Sequence, residues 1–188
     1  ADWDDVDTPA DLVRAEARLR TVRREALITN ETRPEKRQRK HFDYIAGKPS
    51  HTDIVIERGA VTRPDAASLI PASASSSPVF VFTDETVGEL YGKQFVAQLS
   101  ERGYDVHLIT LPDGEESKTL SNYTYVIERV LSRGVDERSV FISVGGGVVC
   151  NVCGFVASTI YRGLDLIHLP TTLMSQSDAA ISHKQAIN

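Results

Sequence analysis

The feature that most constrains this chain is the apolar run Val140-Phe141-Ile142-Ser143-Val144, which passes directly into Gly145-Gly146-Gly147-Val148-Val149. A short apolar run of this kind predicts a buried strand, and the residues after the glycines predict a helix over Asn151 to Ile160. Glycines let backbone N–H groups approach a bound group closely, and the positive end of a following helix stabilises negative charge. Strand, glycine bend and helix in that order predict a phosphate-binding turn, with a plain tight turn as the alternative.

Two similar units come first in the chain. Val79 to Thr83 is a continuous apolar run bounded by Pro78 and Asp84, as expected of a strand buried on both faces of a parallel sheet. Val87, Leu90, Tyr91, Val96 and Leu99 then recur at roughly helical spacing, and Gly103 stands where a helix C-terminal cap is expected. Val106 to Thr110 predicts a second strand and Leu120 to about Leu131 a second helix. This alternation predicts an α/β fold with right-handed crossovers and an open, parallel, Rossmann-like sheet.

Ligands of open parallel sheets bind beyond the strand carboxyl ends. Asp84 after the first strand, Glu115 and Lys118 after the second, and the glycines after the third are therefore expected to converge on one crevice. In the usual dinucleotide fingerprint the glycine loop comes first, so the order here is reversed. Carboxylates in such a crevice accept hydrogen bonds from ribose hydroxyls. The alternatives are a helix N-cap for Asp84 and solvated loop charges for Glu115 and Lys118.

Residues 1–50 are expected to form an appendage, with a helix opened by Thr8-Pro9 and running to about Leu27. The basic stretch Arg33 to Lys40 reads as a solvated connector. Residues 51–188 are expected to form the nucleotide-binding α/β domain, beginning with a strand at Asp53 to Glu57 and a Ser/Ala-rich connector from Ala72 to Pro78. A net charge of -5 argues against nucleic acid as a partner. No apolar run reaches the roughly 18 residues of a membrane span, so a cytoplasmic location away from membranes is expected. Cys150 and Cys153 are the two cysteines, which fits a reducing compartment. Their spacing lacks the second ligand pair that a structural zinc site needs, leaving packed thiols or a redox pair activated by the helix N-terminus.

Leu111-Pro112-Asp113-Gly114-Glu115-Glu116-Ser117-Lys118-Thr119, Gly145-Gly146-Gly147-Val148-Val149, Tyr161-Arg162-Gly163, Pro170-Thr171-Thr172-Leu173-Met174 and Asp178 through Asn188 occur in this order. Together they resemble the dehydroquinate synthase family of sugar phosphate cyclases, over about His51 to Asn188. The resemblance implies an enzyme that binds NAD on a sheet of the dehydroquinate-synthase type. It also implies a helical C-terminal domain that holds zinc or cobalt through one glutamate and two histidines. That domain is expected to be missing from this chain, which would run only into its start and would be catalytically incompetent alone.

By the same resemblance, Asp84, Glu115 and Lys118 contact the adenosine and ribose, and Gly145, Gly146, Gly147 and Val148 cradle the diphosphate. Asn151 touches the active crevice, and Thr171, Thr172 and Met174 line the cofactor. Asp178 and Lys184 belong to the substrate side, with Lys184 on an anionic group. Arg162 reaches the substrate phosphate of a neighbouring subunit, so a homodimer is implied. No residue of this chain is expected to ligate metal. The implied chemistry is transient oxidation of a hydroxyl by NAD, β-elimination of phosphate, re-reduction and aldol closure to a carbocycle, with the metal polarising an oxygen.

Dehydroquinate synthases carry Gly-Asp where this chain has Cys150-Asn151, and Gly-Gly-Lys-Thr-Gly where it has Ser182-His183-Lys184-Gln185-Ala186. Both departures are similar to the 2-deoxy-scyllo-inosose synthase branch, which cyclises glucose 6-phosphate. Cyclases of sedoheptulose 7-phosphate, 3-dehydroquinate synthase itself, a metal-dependent alcohol or glycerol dehydrogenase, and a noncatalytic nucleotide-binding module are the alternatives. His183 reads as a packing residue or a substrate contact.

Overall fold

The computed structural model describes residues 38–46, 48–62, 68–182 and 185–187. Chain contacts divide the molecule into two units, Ala1–Arg58 and Gly59–Asn188. The helix expected between Thr8 and Leu27 lies outside the described residues.

In the first unit, β1 (Gln38–Ala46) and β2 (Lys48–Ile56) form an antiparallel pair, in register from Gln38↔Ile56 to Ala46↔Lys48. The strand expected at Asp53 to Glu57 is the end of β2. Its partner starts inside the basic stretch, so Gln38 to Lys40 are strand and not connector. Ladder hydrogen bonds join backbone groups whatever the side-chain charge, and a basic composition therefore concealed the strand.

The second unit is built on four parallel strands: β3 (Val79–Asp84), β4 (Val106–Leu111), β5 (Val140–Gly145) and β6 (Asp165–Pro170), ordered β4-β3-β5-β6. Between β3 and β4 run α1 (Glu85–Val87), a wide turn of π-helix (Gly88–Gly92) and α2 (Lys93–Glu101). Between β4 and β5 lies α3 (Leu120–Ser132), and between β5 and β6 lies α4 (Gly147–Thr159). A short α5 (Leu173–Ser177) follows β6.

Alternation along the strands separates two apolar layers. On one face Phe80, Phe82 and Phe141 pack with Val126 and Val130 of α3 and Val149, Val152 and Val156 of α4. On the other, Val79, Val81, Val140 and Ile142 meet Phe95 and Leu99 of α2. Each such fully buried side chain contributes about 1.5–3 kcal/mol of transfer free energy, so the central strands β3 and β5 are a fixed platform for whatever leaves their ends.

Two helix expectations need correction. Leu90 and Tyr91 do not face the core: they are 61% and 37% exposed, while Gly88, Gly92, Phe95 and Leu99 are buried. The π turn shifts the helical phase. It also sets glycines against β3, where a Cβ on Gly88 would come within 3.0 Å of Thr83 Cγ2. The helix expected from Asn151 begins instead at Gly147. Glycine and β-branched valines have low helix propensity, but complete burial of Val149 and Cys150 overrides it.

Candidate nucleotide-binding site

The register lines up the strand ends. Leu111 pairs with Asp84, Gly145 pairs with Pro170, and the pairing Phe82↔Ser143 carries Asp84 level with Gly145. The loops holding Glu115 and Lys118, Asp84, the glycines, and Thr171 to Met174 therefore leave one edge of the sheet. The chain steps from β3 outward to β4 and then returns to the other side of β3 for β5. That reversal is a topological switch point, where helices diverge to opposite faces and leave a crevice. A groove of about 220 Å³ along Val106 to Ile109 of β4, beside Arg129 and Arg133, contains none of the expected site residues.

The glycines at the bend differ in what they are for. A Cβ on Gly145 would come within 2.6 Å of Val149 Cγ2, so packing of the first turn of α4 requires glycine there. A Cβ on Gly146 would meet Thr172 Cγ2 at 3.5 Å, and one on Gly147 would meet Ala179 Cβ at 3.8 Å, both ordinary contacts. Neither residue has a positive φ. Backbone conformation and internal packing therefore leave Gly146 and Gly147 unexplained, whereas clearance for a ligand explains both.

The helix ends support that clearance. Asp84 caps α1 by accepting from Val87 N at 2.6 Å, Thr119 caps α3 by accepting from Asn122 N, and Thr172 caps α5 in a reciprocal box with Ser175. The N-terminus of α4, begun by Gly146, has no side-chain cap. Its first-turn amides need an acceptor from outside the helix, and the helix dipole favours a negative one. Beside it, Thr171 donates its N–H to the Gly145 carbonyl at 2.9 Å, while Thr171 Oγ1 is buried without a hydrogen-bond partner among the described residues. An orphaned buried hydroxyl costs roughly 1–3 kcal/mol, which a bound polar group would offset.

The remaining expected residues are placed as follows. Lys118 Nζ lies 2.6 Å from Glu115 Oε1; the lysine side chain is 13% exposed and the glutamate 64%. The ammonium is thus sunk beside the loop with the carboxylate at the surface. Val148 and Asn151 lie in the first turns of α4, half-buried, and Met174 is 76% exposed on α5. Asp178 is exposed and ends α5. Arg162 is exposed on a turn in which Tyr161 and Arg162 both have positive φ, 49° and 66°. Lys184 and His183 lie outside the described residues.

Two groups of contacts here were not expected from sequence. Asp113 accepts from Thr86 N at 3.1 Å and from Thr86 Oγ1 at 2.5 Å, tying the β4 loop to the start of α1. Thr86's hydroxyl, then its N–H, holds the Asp113 carboxyl below its ordinary range. Under the bend, Ser143 Oγ lies 2.7 Å from His168 Nδ1 and 3.5 Å from Cys150 Sγ. Burial pushes the His168 imidazole down to about 4. Burial likewise raises both thiols, Cys153 most, and both are free and buried in α4. Burial thus opposes activation by the helix start, which favours the packed-thiol alternative. Among the described residues no three His, Cys, Asp or Glu groups gather as a metal site, and no helix is long and apolar enough to cross a membrane.

The family model described as 3-dehydroquinate synthase N-terminal matches residues 108–188. Over that segment the chain is similar to the 3-dehydroquinate synthase family. A 2-deoxy-scyllo-inosose synthase of Streptomyces fradiae is 41% identical to this chain over 117 residues, 62% of this chain and 27% of that protein. A 3-dehydroquinate synthase of Pelobacter propionicus is 37% identical over 136 residues, 72% of this chain and 37% of that one. A crystal structure of 2-deoxy-scyllo-inosose synthase complexed with carbaglucose-6-phosphate, NAD+ and Co2+ superposes with a TM-score of 0.69 at 29% identity, over 80% of this chain and 39% of that one. The 2-epi-5-epi-valiolone synthase of Streptomyces hygroscopicus, with NAD+ and Zn2+ bound, superposes with a TM-score of 0.56 at 30% identity, over 63% of this chain and 34% of that one. The chain thus spans between 27% and 39% of the length of these relatives. The parallel α/β sheet is the fold they share with it.

Proposed function

We propose that this chain is the dinucleotide-binding part of an NAD- and divalent-metal-dependent sugar phosphate cyclase, a carbon–oxygen lyase acting on phosphates, of the 2-deoxy-scyllo-inosose synthase kind. The observation that carries the proposal is the pair Gly146 and Gly147. Among the described residues no backbone strain or internal contact asks for glycine there, and they open an uncapped helix at the switch point of the sheet. Relatives that share the sheet bind NAD+.

In this proposal the amides of Gly147 and Val148 hold the diphosphate, with Gly145 and Gly146 shaping the bend. Asp84, Glu115 and Lys118 hold the adenosine side, and Asn151, Thr171, Thr172 and Met174 line the rest of the cofactor. The Thr171 hydroxyl gains there the partner it lacks among the described residues. Bound NAD would supply reversible oxidation of a substrate hydroxyl, which acidifies the neighbouring C–H. Asp178 and Lys184 serve the substrate side. Arg162, held outward on its left-handed turn, offers a guanidinium whose two parallel N–H groups match a phosphate, in a homodimer at the neighbouring subunit's substrate. Metal ligands are assigned to parts of the enzyme other than the described residues. The setting proposed is cytoplasmic.

The 3-dehydroquinate synthase relative supports a second reading with that synthase's reaction. The test is phosphate release by the intact enzyme, with NAD and a divalent cation, from glucose 6-phosphate, sedoheptulose 7-phosphate and the seven-carbon 3-dehydroquinate precursor. Phosphate release from glucose 6-phosphate without net NADH supports the first reading. Release from the seven-carbon precursor alone supports the second, and steady accumulation of NADH rejects both in favour of a dehydrogenase.

A further inference from the structure

We infer that Asp113 is a positioning residue of the nucleotide site, latching the Glu115 loop to the Asp84 turn so that the adenylate half of the ligand meets both acidic loops at once. The inference rests on the dinucleotide reading above. Residues 86 and 113 are 27 apart in sequence, yet both carboxylate oxygens of Asp113 are engaged by Thr86, one by its N–H and one by its hydroxyl. Thr86 lies in the first turn of α1, whose N-terminus Asp84 already caps through Val87 N. Asp113 satisfies a different first-turn amide, and does so from the neighbouring loop, so the cap of α1 is shared between two loops.

What Asp113 adds is a fixed origin for the next residues. Gly114 follows with φ of 96°, a conformation that favours glycine, and a Cβ there would come within 2.6 Å of the Glu116 carboxylate. From that turn the chain enters Glu115 to Ser117, where Ser117 N and Oγ both donate to the Gly114 carbonyl. Lys118 then closes onto Glu115. Each link is short and local, so the position of Glu115 relative to Asp84 is set at Asp113. Asp113 touches neither ligand nor reacting atoms in this role; it acts through Glu115.

The test uses the full chain with ADP as probe, comparing wild type with Asp113→Ala, Thr86→Val, the double variant and Asp113→Asn. Asparagine keeps an acceptor for the Thr86 N–H and can donate to the Thr86 hydroxyl, so it should rescue. Asp113→Ala and Thr86→Val are each expected to weaken ADP about 2- to 10-fold, the scale of one net hydrogen bond. The double variant should be no weaker than the worse single one. Amide exchange should quicken over Gly114 to Lys118 and stay unchanged in β5. Unchanged ADP affinity in Asp113→Ala, additive losses, or failure of asparagine to rescue would overturn the inference. If the wild type binds no ADP, the dinucleotide reading fails; unchanged exchange over Gly114 to Lys118 in Asp113→Ala then separately overturns the latch.

Discussion

His168 gives the sharpest quantitative prediction, because its imidazole is pushed from the ordinary 6.5 down to about 4 by burial in the folded chain. A base with a depressed folded value binds fewer protons folded than unfolded between those two values. Its contribution to stability is therefore complete above about pH 6.5 and lost as pH falls toward 4. Between pH 7 and pH 5 the linkage integral for one such group comes to about 2 kcal/mol. The partner is Ser143 Oγ at 2.7 Å, and asparagine at 168 would still give that hydroxyl an acceptor without titrating. Urea unfolding at pH 7 and pH 5 should show the wild type losing about 2 kcal/mol more than His168→Asn over this interval. Asp113 and Asp136, both held below 3.8, lose their contributions at lower pH and do not contaminate the comparison. Equal losses in the two proteins would refute the buried, neutral imidazole.

Other outcomes follow from the bend. Gly146→Asp places a good N-cap residue where a Cβ meets only an ordinary contact; the thermal midpoint should hold while ADP affinity, read by calorimetry, falls more than about tenfold by like-charge repulsion. Gly145→Ala has the opposite character: its Cβ would overlap Val149, and urea unfolding should register a loss of roughly 1–3 kcal/mol. Cys150 and Cys153, buried with raised thiols, should resist a disulfide reagent at pH 8 in the native chain and react promptly in denaturant. Prompt native reaction would contradict their packing.

Much of the sheet was legible because β3 and β5 are buried on both faces, and complete burial writes a continuous apolar run into the sequence. That the loops of Asp84, Glu115 and the glycines leave one edge of the sheet was legible for a topological reason, since parallel strands put successive loops at one edge. Features set by tertiary contact were harder to see. Leu90 and Tyr91 look like core until the π turn rotates them outward, and Gly88 and Gly92 reveal their packing role only against Thr83. The strand beginning at Gln38 was hidden because pairing with β2 is a backbone matter. Asp113 bonds a residue 27 positions away, and no local pattern announces a partner at that distance. The Asp-Gly pair signals a turn, but not the threonine it is tied to.

The measurement that bears most directly on the central claim is a crystal structure of this chain grown with NAD+. The expected result is a diphosphate within hydrogen-bond distance of the Gly147 and Val148 amides, ribose hydroxyls on Asp84 and Glu115, and a partner on Thr171 Oγ1. NAD+ bound at another place, such as the groove along β4, with the glycine bend vacant would contradict it.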